Sequence, residues 1–248
     1  MIYGVGVRWH PSERTIFDGS WEHRYFGSSY NVTFDHRTPL SVWSFLASRN
    51  VTSYPQQLAT LSGGIDISAA LNQLFQSRVP DPAARQTLVT QLIQDRGLPS
   101  FLSNPVTIYS QQLQLTETLI GTVGLLGARN SVFGSLYRQR VEPVSGSGNV
   151  LPPELQGLQN NTQYGGNLVW SHSLTPQVAL TGTVDGSRTN DNTGPGVTKQ
   201  AGVRVGVSTP VSALTTVYAG IRYQVSHSNV SFDYNETAAF VGLLHRFQ

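Results

Sequence analysis

Serine-based nucleophilic catalysis needs a histidine within hydrogen-bond reach of the hydroxyl and an acid to orient the ring. Two stretches bring those residue types together. His172 lies between Ser171 and Ser173. His227 lies between Ser226 and Ser228, with Asp233 and Glu236 shortly after. Neighbours on a strand point to opposite faces, so neither run is a dyad by spacing alone. His172 shares a face with Trp170 and reads as an interfacial ring, while His227 reads as part of a solvated loop. Cysteine is absent, which removes thiol nucleophiles, disulfides and zinc–thiolate sites. His23 and His36 belong to different strands. Gly4-Val5-Gly6 and the glycines from Gly202 to Gly206 lack the following helix that a phosphate loop requires. The expectation is a protein that is not an enzyme and holds no metal and no cofactor.

The charged residues carry a different pattern. Arg8, Asp18, Glu22, Arg24, Asp35, Arg37, Asp185, Arg204, Arg222 and Arg246 each alternate with apolar neighbours, so they fall on the polar face of their segments. In a membrane barrel that face is the lumen. Lys199 is the only lysine among 16 basic residues, and arginine can hold carboxylates bidentately across such a space. Two roles are open for these charges: a track for an anionic polymer, or structural pairs that hold the barrel's shape. The near balance of 16 basic and 14 acidic residues favours the pairs.

The elements that would position these charges are strands. From Thr15 to Tyr25, Phe17, Gly19, Trp21, His23 and Tyr25 alternate with Asp18, Ser20, Glu22 and Arg24. The same period of two runs through Tyr30–Arg37, Trp43–Ser48 and, in the second half, about Leu168, Val178, Val203, Val217 and Val241. That period marks strands with one apolar and one polar face. About eleven or twelve of them are expected, most near the length that crosses a bilayer at a tilt. Short turns are expected at Pro11-Ser12-Glu13, Thr38-Pro39, Thr175-Pro176 and Thr209-Pro210. Longer polar loops are expected over 144–160, 189–197 and 228–235. One insertion, residues 52–106, breaks the pattern. It carries a helix from Ile67 to Phe75, and a second helix capped by Asp81, opened by Pro82 and stopped by Gly97 and Pro99. Leu88, Val89, Leu92 and Ile93 form the second helix's apolar stripe, which must be buried against the rim or the lumen. Glu117 interrupts the apolar face of Leu113, Leu115 and Leu119 unless a bulge intervenes.

Composition agrees with a membrane barrel. Charged residues are 12% of the 248, about half the usual share for a soluble domain, yet mean hydropathy is only −0.17. No apolar run is long enough for a spanning helix, and no basic cluster suits nucleic acid. Trp9, Tyr25, Trp43, Trp170, Tyr223 and Phe247 lie near the ends of apolar faces, where a membrane interface gathers aromatics. The fold class expected is therefore all-β: an antiparallel transmembrane outer-membrane β-barrel with a helical insertion. Residues 1–248 would form a single barrel domain, with further strands expected upstream. The setting expected is the bacterial outer membrane, with its lipid as partner.

Two resemblances refine this. The end of the chain, with Gly242, His245 and Phe247, resembles the C-terminal recognition strand of bacterial outer-membrane proteins, which implies the barrel assembly machinery as a partner. Four stretches, Val7–Thr15, Glu22–Tyr30, Pro80–Arg85 leading to Gly97-Leu98-Pro99, and Leu126–Val132, resemble an outer-membrane β-barrel family of uncharacterised proteins associated with PEP-CTERM/exosortase and exopolysaccharide loci. That resemblance implies a transport or export component acting on polysaccharide, with export-system proteins as partners. It supplies no site residues. The other reading is a non-conducting scaffold that displays its loops to a polysaccharide or protein partner.

Overall fold

The computed structural model describes residues 1–52, 65–76, 78–99, 101–102, 113–144, 160–212 and 214–245. Long antiparallel strands dominate it. They are β1 (Tyr3–Ser12), β2 (Thr15–Arg24), β3 (Gly27–Arg37), β4 (Ser41–Thr52), β7 (Gln114–Leu126), β8 (Asn130–Pro143), β9 (Asn161–Ser173), β10 (Ala179–Asp191), β11 (Val197–Ser212), β12 (Thr215–Ser228) and β13 (Tyr234–His245). These eleven form one sheet in chain order, each bonded to the next, with β4 pairing directly to β7. The fold is all-β and up-and-down. Between β4 and β7 lie a two-residue ladder, β5 (Ile65–Asp66) with β6 (Phe101–Leu102), and two helices, α1 (Ile67–Phe75) and α2 (Pro82–Asp95). Neither helix is long and apolar enough to cross a membrane.

The register fixes which side chains share a face. Across the sheet, His36, Trp43, Val123, Gly134, Leu168, Val184, Val203 and Tyr223 stand opposite one another in turn. Their face is exposed: Val184 is 51% accessible, Leu136 73% and Val241 80%. An apolar band runs across this outer face on every strand. The opposite, inner face carries the helices. Strands are staggered as well. The rung that starts at Trp9, close to the last residue of β1, passes Phe17, Phe34, Phe45, Gly121, Leu136, Gly166, Gly186 and Ala201. It reaches Val225, close to the last residue of β12. The two ends of that rung lie at opposite edges of the sheet. Such a stagger accompanies the strand tilt that barrel architectures need.

One edge of the sheet has short turns and the other has long connections, except for the tight turn at Gly27. That glycine has φ +103°, the left-handed region that only glycine enters freely. Two of the expected turns move. β1 runs on through Pro11 to Ser12, and β11 runs through Pro210 to Ser212. In both places the pairing register shifts, so each proline sits at a bulge where no ladder donor is missed. The loop 145–159 lies outside the described residues. So do residues 103–112, within the end of the expected insertion and the segment before Leu113.

Local chemistry accounts for the helices. Asp66 caps α1, accepting from the Ser68 N–H at 2.7 Å, and Asp81 caps α2, accepting from the Ala83 and Ala84 N–H groups at 3.2 Å. Gly97 ends α2 with φ +59°. A Cβ there would sit 2.8 Å from the Ser208 hydroxyl oxygen and 3.1 Å from that of Thr181, so both backbone and space call for glycine. Ile67, Leu71, Leu74 and Phe75 of α1 and Val89 of α2 are buried, with Leu92 and Ile93 packed alongside. Leu88 departs from its expected place in the stripe and is exposed. The helices pack with Val42, Leu126, Phe133 and Val169, all on the inner face of the sheet. The insertion leaves the long-connection edge and is buried against the inner face, within the rim-or-lumen expectation. It folds back over that face, where its apolar stripe finds cover.

Candidate functional site

The inner face holds the charged residues that the alternation singled out. Arg8 and Asp18 stand opposite one another and pair at 3.0 Å, with the His10 ring nitrogen 3.5 Å from the same carboxylate. Arg24 reaches Glu22 at 2.5 Å on its own strand. Asp35 stands opposite Ile16 and Ser44. On the far wall, Arg204 and Arg222 face each other directly. Their repulsion is relieved by Glu236, which accepts from Arg222 at 2.5 Å, and by the Phe240 ring, 5.7 Å from the Arg204 guanidinium. Asp185 stands opposite Gly202 on the same face. Arg246 and Phe247 lie outside the described residues.

Arg37 has a different job from the rest. Its guanidinium donates to the Gln73 carbonyl at 3.3 Å, to the Gln76 side chain and to the Glu13 carbonyl at 2.8 Å. These bonds tie the end of α1 to β3 and to the β1–β2 turn. The opposite end of the insertion is tied by Arg96, a residue the alternation gave no reason to notice. Arg96 donates to the Ser131 hydroxyl at 2.7 Å and to the Gly127 and Ala128 carbonyls at 3.2 and 3.1 Å. Its own carbonyl accepts from Ser171 and Thr181. Burial pushes the Arg96 guanidinium pKa down from its usual value, which matches a cation held by neutral oxygens rather than by a carboxylate. Gly127 and Ala128 belong to a short turn, so the insertion crosses the inner face from one edge towards the other. The sequence signal available for Arg96 is its position directly before the Gly97-Leu98-Pro99 stop.

The insertion divides the inner face. On one side, a polar hollow of about 520 Å³ is lined by Arg8, Asp18, Ser20, Asn31 and Thr33 of β1–β3. On the other, Pro99 and Leu102 close a smaller cavity of about 220 Å³ whose lining includes Asn167, Asp185, Arg204, Arg222 and Gln224.

The serine–histidine runs do not assemble. The His172 ring hydrogen-bonds Asn130 at 2.9 Å and stacks on Trp170, while the Ser171 hydroxyl points to the other face and donates to Arg96. His227 does meet Asp233, at 3.0 Å. Ser226 is buried on the opposite face, and the Ser228 hydroxyl pairs with that of Thr198 at 2.9 Å. Glu236 is engaged by Arg222. Among the described residues, no three His, Asp or Glu side chains gather as a metal site. In the last strand, His245 bonds Thr215 at 2.8 Å on the outer face and Gly242 lies on the inner one, opposite Tyr218.

No protein-family model matches the chain, and no curated protein matches it in sequence. Among solved structures, it is similar to the outer-membrane expressed OmpT of Vibrio cholerae, with a TM-score of 0.49 and 9% identity over 98% of this chain and 64% of that one. A loop-deletion mutant of OmpT matches with a TM-score of 0.41 and 13% identity, over 100% of this chain and 80% of that one. An anion-selective porin from Comamonas acidovorans matches with a TM-score of 0.48 and 7% identity, over 98% of this chain and 59% of that one. The chain thus spans less than two thirds of the length of the first and the last of these.

Proposed function

We propose that the chain is a β-barrel protein of the bacterial outer membrane, with a polar interior narrowed by its helical insertion. The observation that carries this reading is the contrast between the faces. An apolar band crosses all eleven strands of the outer face, far beyond the few hundred Å² of exposed apolar patch usual on a soluble monomer. The inner face has ion pairs and buried polar groups. A bilayer outside and water inside satisfy both. Heat modifiability tests the placement: the folded protein in outer-membrane fractions should migrate differently before and after boiling. A soluble protein with no mobility shift would overturn it.

Within that setting we infer a transport or export component of an exopolysaccharide system. The sequence resemblance supports this, and so does the hollow beside β1–β3, whose paired charges and amides suit a hydrated, hydroxyl-rich substrate. The same reading gives the chain no catalytic role and assigns Gly242, His245 and Phe247 to recognition by the barrel assembly machinery. Conductance in planar bilayers tests the channel: small unitary currents are expected, rising when Arg96→Ala loosens the insertion. The packing of Leu71, Leu74 and Val89 against the sheet favours the second reading, a non-conducting scaffold. Negligible current in both proteins would establish that one instead.

A further inference from the structure

The outer face changes character at one edge. Among the described strand residues, its Arg, Lys, Asp and Glu side chains all lie towards the long-connection ends of their strands, and basic groups outnumber acidic ones. The densest part is a single rung across β8–β12: Arg138, Tyr164, Arg188, Lys199 and His227 stand opposite one another in turn. The Arg138 guanidinium lies 5.9 Å from the Tyr164 ring centre and donates to Glu117 at 3.2 Å. Arg188 donates to the neutral Asn190 side chain, at 2.8 Å. Among the described residues, neither Arg188 nor Lys199 has an acidic partner. With adjacent strands ~4.8 Å apart, these cations form a strip long enough to meet more than one phosphate.

Immediately next to the strip the same face sinks into an apolar groove of about 840 Å³. Gly121, Gly166 and Gly186 leave its floor low, and Leu136, Leu168 and Val184 stand beside them. Gly166 and Gly186 occupy the rung adjacent to Tyr164 and Arg188. The groove would be costly in water, and the cations would be costly in hydrocarbon. One amphiphile satisfies both.

We propose that this bipartite surface binds a phosphorylated glycolipid of the outer leaflet, phosphates on Arg138, Arg188 and Lys199 and an acyl chain in the glycine-floored groove. This rests on the outer-membrane reading. The experiment is native mass spectrometry of the full chain, folded into phosphatidylcholine nanodiscs doped with lipid A. A heat-modifiable gel band before each measurement reports folding separately. Its absence would sink the membrane reading itself.

Retention of lipid A over phosphatidylcholine is expected, falling about fivefold for each basic residue neutralised. The triple variant Arg138→Gln, Arg188→Gln, Lys199→Gln should therefore lose about a hundredfold. Gly121→Leu with Gly186→Leu should also weaken retention by filling the groove. A Cβ at Gly121 meets nothing within 4 Å, and one at Gly186 meets its nearest atom at 3.8 Å, so both sites have room for a side chain. Equal retention of the two lipids by the folded protein would overturn the proposal. So would a triple variant that binds normally. Displacement of lipid A by inorganic phosphate alone would overturn the bipartite site and leave only an anion strip.

Discussion

Single residues here act by closing or anchoring, and Asp233 shows how directly that can be tested. It lies in the turn between β12 and β13, where its carboxylate accepts from the His227 ring at 3.0 Å and from the Ser228 N–H at 2.7 Å. Those bonds, the histidine's first, hold its carboxyl below the ordinary aspartate value. A depressed native value means that the ionised form is the one that orders the turn. Its contribution is complete above the unfolded carboxyl's pKa of about 3.9 and is lost as the pH falls through the lower native value. Slow amide exchange at Ser228 should therefore persist at mildly acidic pH and disappear only in stronger acid. In Asp233→Asn it should be fast, with no step at the carboxyl pKa. A step in the variant, or none in the parent, would remove Asp233 from this role. The loop reading of His227 was legible from the sequence, but its pairing with Asp233 across the turn was not.

At the scale of the elements, the strands and both helices were legible because each rests on a local signal. Period-two alternation places the strand faces, and Asp66, Asp81, Pro82 and Gly97 mark the helix ends. Pro11 and Pro210 misled because a proline at a bulge has the same local signature as one in a turn. Glu117 was ambiguous for a related reason. It remains on the outer face without a bulge, and Arg138 and Arg49 stand near enough to make that tolerable: Arg138 donates to it, and Arg49 is its rung partner. What alternation cannot report is where a helix goes once it leaves the sheet, since its stripe says only that it needs cover. The packing gives that cover a measurable worth. Leu71 is wholly inaccessible between α1 and the inner face, so Leu71→Ala should cost about 2–5 kcal/mol of the insertion's attachment. The strands keep their own ladders, so the loss should be local. Limited proteolysis should cut the helices sooner in the variant while the heat-modifiable band stays unchanged. A variant cut no faster would mean that the helices are held by Arg37 and Arg96 alone.

For the whole molecule, the question is which side of the insertion a solute would use. The two charged walls are not equivalent. Arg204 and Arg222 border a cavity of about 220 Å³ that Pro99 and Leu102 cover. Arg8 and Asp18 border a hollow of about 520 Å³ to which α1 and α2 contribute no lining residue. The pore resistance of a divided lumen is set by its wider branch, and the charges that set ion preference are those lining that branch. Arg8→Glu, in that lining, with Arg24→Glu, further along β2 on the same face, should therefore shift the reversal potential in a salt gradient towards cation preference. Arg204→Glu with Arg222→Glu should shift it much less, although both pairs change the net charge equally. That comparison separates a local selectivity wall from a diffuse field of the barrel. Equal shifts from the two pairs would mean that ions sense only the summed charge. A larger shift from Arg204 and Arg222 would place the path beneath Pro99 and Leu102, which requires the insertion to move during conduction.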